Sequence, residues 1–109
     1  MIKSIDVQGF HDLQKADKNL HFIDVREKDE YEDVHATGAT NFPLSSLNPA
    51  EVLNQIKAVK STPLYFICRS GKRSYMAAEQ FKSHGCLELT NVEGGTLAWL
   101  DSGLPNSQD

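Results

Sequence analysis

Residues 63–85, PLYFICRSGKRSYMAAEQFKSHG, contain an apolar run, a short cationic loop and an amphipathic segment in that order. The run at 64–67 is nearly all apolar, which is typical of a strand covered on both faces in a parallel sheet. The segment at 73–85 predicts a helix that ends at Gly85, because glycine readily adopts the left-handed conformation found after helix ends. The stretch therefore predicts a strand, a loop and a helix, the unit from which α/β folds are built.

The rest of the chain alternates in the same way between short apolar runs and helical patterns. Five strands are predicted, at residues 4–7, 20–25, 40–44, 63–67 and 87–92. Helices are predicted at residues 9–17, 27–35, 48–60, 73–85 and 94–103. This alternation indicates an α/β fold with a central, mainly parallel five-stranded sheet and helices on both faces. A length of 109 residues is that of one domain, so we expect residues 1–109 to form a single domain.

Two of the predicted helices carry more detailed expectations. The helix at 48–60 begins with Asn48 as its N-cap and Pro49 at its first position, and Glu51 completes a capping-box pattern. Its predicted buried stripe consists of Val52, Leu53, Ile56 and Val59. In the helix at 94–103, the spacing predicts a core made of Leu97, Trp99 and Leu100.

Composition excludes several classes of protein. The chain is 39% hydrophobic and 24% charged with a net charge of −4, which argues against a broad nucleic-acid or membrane-binding surface. No apolar run approaches the ~20 residues of a membrane span, and the N-terminus lacks the pattern of a signal peptide. We therefore expect a cytoplasmic protein. Its two cysteines, Cys68 and Cys86, are expected to be free thiols and to hold no metal.

The loop at 68–74, CRSGKRS, is the candidate active site. In parallel sheets ligands bind at the carboxyl ends of strands, and Cys68 falls at such an end. Gly71 permits a positive φ, and the N–H groups of the loop and of the following helix start form a cradle for an anion. Together with Arg69, Lys72 and Arg73 these groups should lower the thiol pKa and make Cys68 a nucleophile. The alternative is a buried core cysteine beside a solvated basic loop, but packing alone does not need such a loop.

Three motifs in this sequence resemble the rhodanese-like sulfurtransferases. Residues 23–43, IDVREKDEYEDVHATGATNFP, are similar to the first signature of that family. The loop CRSGKRS resembles its active-site loop, and residues 92–105, VEGGTLAWLDSGLP, resemble its C-terminal signature. The motifs span nearly the whole chain in the right order. One departure is Val34, which precedes His35 where the family often has glycine.

The resemblance implies a rhodanese-like three-layer fold and the activity of a thiosulfate sulfurtransferase. Cys68 would attack the outer sulfur of thiosulfate, expel sulfite and hold the sulfur as a persulfide. The acceptor would be cyanide, a small thiol or a thioredoxin-like protein, and no metal or organic cofactor would be needed. Mercaptopyruvate sulfurtransferases resemble this family but tend to have a less basic loop, so the adjacent Lys72 and Arg73 favour thiosulfate as the donor.

Residue roles follow from the loop and the resemblance together. Cys68 is the expected nucleophile, the backbone amides of Arg69, Ser70, Gly71, Lys72, Arg73 and Ser74 form the cradle, and Lys72 and Arg73 are the expected side-chain anion contacts. Ser74 either caps the helix or hydrogen-bonds the sulfur, and capping is the more common use of such a serine.

Residues outside the loop receive structural interpretations. Asp24 and Arg26 either approach the site or form a structural ion pair. His35 is interpreted as a structural histidine, and Cys86 as packing, with a resolving thiol as the alternative.

Two other functions use similar residues. A persulfide carrier in a protein sulfur relay would have the same chemistry with a different donor. A cysteine-dependent phosphatase or arsenate reductase would also use a cysteine, a loop and an arginine. In the phosphatases, however, five residues separate the cysteine from the arginine, whereas four separate Cys68 from Arg73.

Overall fold

The α/β fold predicted from the sequence is present in the computed structural model, which describes residues 1–108. Along the chain the strands are β1 (Ile2–Ile5), β2 (His21–Asp24), β3 (His35–Ala36), β4 (Thr40–Asn41), β5 (Leu64–Ile67), β6 (Leu89–Val92) and β7 (Asn106–Ser107). The helices are α1 (Val7–Ala16), α2 (Lys28–Asp33), α3 (Pro49–Ile56), α4 (Lys72–Ser83) and α5 (Gly95–Asp101), with one 3-10 turn at Leu44–Ser46. Across residues 1–108, none of the helices has the length and apolar character to cross a membrane.

Five strands form a parallel sheet in the order β1-β6-β5-β2-β4. The apolar strand β5 lies at the centre, between β2 and β6. Its last residue, Ile67, precedes Cys68, so the loop at 68–74 leaves the middle of the carboxyl edge of the sheet. The predicted parallel five-stranded sheet is thus confirmed, and it places the candidate nucleophile where neighbouring strand ends converge.

Alternation along the strands divides the core into two layers. Phe22 on β2 packs with Phe10 and Trp99 on the face covered by α1 and α5. The next residue, Ile23, packs on the opposite face with Phe66 of β5 and residues of α3 and α4. Because successive strand side chains point to opposite faces, both faces of the sheet are covered by helices. The prediction of helices on both faces is confirmed.

Two sequence-based burial predictions are wrong. Helix α3 ends at Ile56 because Lys57 adopts a left-handed conformation with φ 57°, and Val59 is consequently 64% exposed. Leu97 is 47% exposed because the buried face of α5 is formed by Thr96 and Trp99, three residues apart. The predicted N-cap of α3 is present, since the Glu51 N–H donates to Asn48 Oδ1 over 3.2 Å.

The extents of other elements also differ from prediction. The strand expected at 40–44 is limited to β4, and the short antiparallel pair β3–β7 was not predicted. A two-residue strand has too few positions to establish an alternating pattern, which explains why β3 and β7 leave no signal in the sequence.

Helix α5 begins directly against the loop that follows β5. The Thr96 N–H donates to the Cys68 carbonyl over 2.8 Å, and the Leu97 N–H donates to the Arg69 carbonyl over 3.1 Å. Gly95 has φ +60°, and a Cβ at this position would lie 2.4 Å from the Cys68 carbonyl oxygen. Only glycine lets the two backbones approach this closely. The position of α5 therefore requires a residue without a side chain at position 95.

Replacing Gly95 with alanine should destabilise the protein by about 3 kcal/mol or more, because strain in φ and overlap with backbone atoms act together. The matched control is Gly103→Ala, since Gly103 has φ +69° but nothing within 4 Å of the added Cβ. The control should lose only about 1–2 kcal/mol. Urea unfolding of both variants measures the difference, and equal losses would contradict a close approach at Gly95.

Candidate active site

Cys68 lies at the bottom of a cradle formed by its own loop. The thiol is nearly inaccessible, with Cys68 only 1% exposed. The Gly71 N–H points back at the sulfur, with 3.1 Å between Gly71 N and Cys68 Sγ. Gly71 reaches this position with φ +109°, a conformation that other residues rarely adopt. The predicted role of Gly71 in bending the loop thus has a direct geometric basis.

Ser74 contacts the sulfur and does not cap the helix. The N-cap of α4 is Gly71, and Ser74 is the third residue of the helix with its side chain fully buried. The Ser74 hydroxyl lies 3.3 Å from Cys68 Sγ, so it can donate to a sulfur acceptor. The preference for capping was therefore wrong, because the first turn of α4 directs the Ser74 side chain inward.

Asn91 joins the site from the neighbouring strand β6 and was missed in the sequence. Its side-chain Oδ1 accepts a hydrogen bond from the Ser74 hydroxyl over 2.5 Å. Its Nδ2 donates to the Gly71 carbonyl over 3.0 Å. A single buried amide thus connects the bend of the loop to the start of α4. Its position just before Val92-Glu93-Gly94-Gly95, at the carboxyl end of a strand, is the only signal in the sequence.

Hydrogen bonds to the sulfur lower the Cys68 pKa. Burial alone raises the pKa of this thiol, but donation by the Ser74 hydroxyl and by three loop amides outweighs burial, so the pKa lies below its ordinary value. The amides are those of Ser74, Gly71 and Ser70. The largest lowering contributions come from neutral N–H and O–H donors, and not from the cations to which the lowering was expected to be due.

Arg73 is paired with an acidic residue of α2, a contact that the sequence pattern does not predict. Its two terminal nitrogens donate to the two carboxylate oxygens of Glu30 over 2.7 and 2.9 Å. Arg73 lowers the pKa of Glu30 to about 2, although partial burial opposes this shift, and Glu30 in turn raises the pKa of Arg73. The positive charge of Arg73 is therefore largely offset at the rim of the cradle.

The other two cations of the loop extend into solvent. Arg69 and Lys72 are exposed, and neither forms an ion pair with any residue among 1–108. Arg69 also borders a cleft of about 280 Å³ whose apolar lining comes from Val34, Leu97 and Leu100. Ser70 is exposed at the tip of the loop and contributes its backbone N–H to the sulfur. The cleft thus has a cation at its edge, but the carboxylates of Glu30 and Asp33 also line it and Cys68 does not.

Asp24 and Arg26 form a buried structural pair, as the sequence analysis allowed. The Arg26 Nη2 donates to Asp24 Oδ2 over 2.9 Å and to the Val34 carbonyl over 2.7 Å. Its Nη1 donates to the Glu30 carbonyl over 3.3 Å. Arg26 therefore fixes the end of α2 against β2, and this position brings the Glu30 side chain to Arg73.

His35 and Cys86 both have structural surroundings. His35 is buried, its Nδ1 lies 2.7 Å from the Tyr31 carbonyl oxygen, and its ring stacks on the Tyr31 ring. Cys86 is a buried free thiol whose pKa is raised by burial. Within the described part of the chain, no group of three or more acidic, histidine or cysteine side chains is arranged to hold a metal ion.

Comparisons with known proteins show which family the chain matches. The sequence model of the rhodanese-like domain matches residues 6–102. The chain is 35% identical over 99 residues to the putative sulfur carrier protein YrkF of Bacillus subtilis, covering 90% of this chain and 51% of that protein. It is 32% identical over 115 residues to the thiosulfate:glutathione sulfurtransferase of Saccharomyces cerevisiae, covering 94% of this chain and 83% of that protein.

The fold is also found among solved structures. The rhodanese-like domain of the Alr3790 protein from Anabaena sp. superimposes with a TM-score of 0.85 at 23% identity, covering 100% of this chain and 81% of that one. The chain spans about half the length of several curated relatives that it matches, 51%, 62% and 44% in three cases. Since the family match includes the loop around Cys68 and most of the chain, the protein belongs to the rhodanese-like domain family.

Proposed function

We propose that the protein is a sulfurtransferase that takes the outer sulfur of thiosulfate and holds it as a persulfide on Cys68. The observation that carries this proposal is the convergence of N–H and O–H donors on one buried sulfur whose pKa is lowered. Such donors favour a thiolate, which is the nucleophilic form of cysteine. The family membership and the printed names of relatives, a putative sulfur carrier and a sulfurtransferase, support the same chemistry.

The reaction balances without an oxidant or reductant. The Cys68 thiolate attacks the outer sulfur of thiosulfate, a new sulfur–sulfur bond forms, and sulfite leaves with the electron pair of the broken bond. An acceptor nucleophile then attacks the outer sulfur of the persulfide, and the Cys68 thiolate departs. Negative charge accumulates at the cradle in both steps, where the fixed loop donors stabilise it.

The charges at the rim suit a compact dianion. Lys72 and Arg69 are exposed and unpaired among residues 1–108, so they can attract and contact the sulfonate end of thiosulfate. Arg73 contributes less, because Glu30 already occupies both of its terminal nitrogens. That pairing also disfavours phosphatase chemistry, in which an arginine must bind phosphoryl oxygens with both nitrogens.

The acceptor is proposed to be cyanide, a small thiol or a thioredoxin-like protein. The cleft beside Arg69 has room for a small thiol next to the loop. A carrier role in a protein relay is the second candidate, favoured by the exposed apolar side chains of Tyr75, Met76 and Leu97, which follow the loop or contact it. Two free thiols suit a reducing compartment, so a cytoplasmic location is part of this proposal.

Replacing Cys68 with serine should abolish sulfur transfer, whereas Cys86→Ser should keep most of the activity because Cys86 lies outside the cradle. Thiocyanate formation from thiosulfate and cyanide measures the activity of both variants. Mass spectrometry after incubation with thiosulfate should show one added sulfur on the parent and on Cys86→Ser. A folded but inactive Cys86→Ser protein would instead require a mechanism with two cysteines.

The rate of Cys68 alkylation by iodoacetamide should have its inflection below the ordinary thiol pKa, because a lowered pKa leaves more thiolate at neutral pH, whatever absolute rate the burial of the sulfur allows. The rate of Cys68 labelling as a function of pH, followed in Cys86→Ser to remove the second thiol, gives the inflection. An inflection at or above ~8.5 would contradict activation by the loop donors.

Lys72→Ala should reduce kcat/KM for thiosulfate on the order of 10-fold, and less for 3-mercaptopyruvate, because the exposed ammonium contacts the more compact charge. Arg73→Ala should reduce kcat/KM for thiosulfate more than Lys72→Ala does, since it leaves Glu30 as an unpaired carboxylate at the rim. Adding Glu30→Gln to Arg73→Ala is the matched control and should recover part of the activity. Equal losses for the two donors would mean that these cations do not select the substrate, and a parent that prefers 3-mercaptopyruvate would overturn the donor assignment.

A further inference from the structure

We propose that Asn91 is a positioning residue for the sulfur chemistry: its side-chain carbonyl competes with the Cys68 sulfur for the single proton of Ser74. The Ser74 O–H bond then turns from Asn91 to the sulfur when negative charge develops there. This inference rests on the proposed role of Cys68 as nucleophile and adds a residue from another strand to it.

The orientation of the Asn91 amide follows from its neighbours. The Gly71 carbonyl can only accept a hydrogen bond, so the group that faces it over 3.0 Å must be the donor Nδ2. The opposite end of the amide, Oδ1, then faces the Ser74 hydroxyl over 2.5 Å. Oδ1 carries no proton. Any hydrogen bond between these two side chains must therefore use the proton of Ser74.

Ser74 faces two acceptors with one proton. Its Oγ lies 2.5 Å from Asn91 Oδ1 and 3.3 Å from Cys68 Sγ. While Cys68 is a neutral thiol, its S–H can donate to Ser74 Oγ, and the Ser74 O–H donates to Asn91. All three groups are then satisfied in one chain of hydrogen bonds.

Ionisation of Cys68 changes this arrangement. The thiolate has no proton to donate and is the stronger acceptor, so the Ser74 O–H turns to the sulfur and Asn91 Oδ1 loses its partner. Ser74 is fully buried and Asn91 is only 5% exposed, so water does not readily replace the lost hydrogen bond. Asn91 thus limits how far Ser74 can stabilise the thiolate at rest.

The same exchange accompanies sulfur transfer. Formation of the persulfide moves negative charge from Sγ to the outer sulfur. The Ser74 O–H then turns back and donates to Asn91 Oδ1. Attack by the acceptor restores the Cys68 thiolate as the leaving group, and Ser74 donates to it again. The Ser74 O–H therefore donates to Sγ only in the steps in which Sγ carries negative charge.

A purely structural role for Asn91 would be limited to tying the loop through Gly71. The two roles differ in their dependence on Ser74, and a double-mutant cycle separates them. Four proteins are compared in the Cys86→Ser background: the parent, Ser74→Ala, Asn91→Leu and the double variant. Leucine has nearly the shape of asparagine but neither accepts nor donates. The Cys68 pKa is obtained from the pH dependence of iodoacetamide labelling.

Ser74→Ala should raise the Cys68 pKa because a donor is lost. Asn91→Leu removes the competing acceptor and frees the Ser74 O–H for the sulfur. The change in Cys68 pKa caused by Asn91→Leu should therefore be more negative, by roughly 0.5–1 unit, when Ser74 is present than when it is alanine. In that background leucine can act only through the loss of the Gly71 contact. Equal effects in the two backgrounds, or a difference of the opposite sign, would overturn the proposal.

Asn91→Asp provides a second cycle if the leucine variant does not fold. A carboxylate holds the Ser74 proton more strongly than an amide, so Asn91→Asp should raise the Cys68 pKa more when Ser74 is present than when it is alanine. A structural role predicts no such dependence on Ser74. Mass spectrometry of the parent after thiosulfate is read separately: failure to gain a sulfur refutes the proposed function, whereas absence of coupling in a protein that gains sulfur refutes the role of Asn91.

Discussion

Two backbone hydrogen bonds from the start of α5 hold the first residues of the active-site loop in place. They hold the carbonyls of Cys68 and Arg69 toward α5. In a trans peptide the carbonyl and the following N–H point in opposite directions, so a carbonyl held outward aims the next N–H inward. The Ser70 amide, which follows the Arg69 carbonyl, is one of the donors to the sulfur. The start of α5 therefore orients the Ser70 donor, although α5 contributes no side chain to the sulfur.

The charged side chains lie farther out, around the rim of these neutral donors. The buried Asp24–Arg26 pair fixes the end of α2, and α2 supplies Glu30 to the loop cation Arg73. Pairing reduces the net positive charge next to the sulfur, while Lys72 and Arg69 stay available at the rim. In the proposed function, activation of the thiol and attraction of an anion thus fall to different groups, backbone and hydroxyl donors for the first and exposed cations for the second.

The fold could be predicted because its information is local. The alternation of apolar runs and helical periods can be read along the chain. The most apolar run ends just before Cys68, which was enough to predict this residue at the carboxyl edge of the sheet. Ser74, Asn91 and Glu30 could not be assigned in this way. Asn91 lies 17 residues from Ser74, and Glu30 lies 43 residues from Arg73, so both contacts depend on strand order and helix placement. Leu97 was wrongly predicted to be buried. In a helix of only 7 residues the spacing of apolar side chains does not determine which face packs on the core, and the buried face of α5 carries Thr96 and not Leu97.

The contact between α5 and the loop also has a consequence for the protein during its synthesis. Cys68 and Ser74 leave the ribosome before Asn91 and Thr96, which donate hydrogen bonds to the Gly71 and Cys68 carbonyls. A nascent chain that ends before residue 91 contains the cysteine but lacks the groups that shape the cradle. The loop around Cys68 is therefore held in its final geometry only after the segment from residue 91 onwards, about the last sixth of the sequence, has folded onto it.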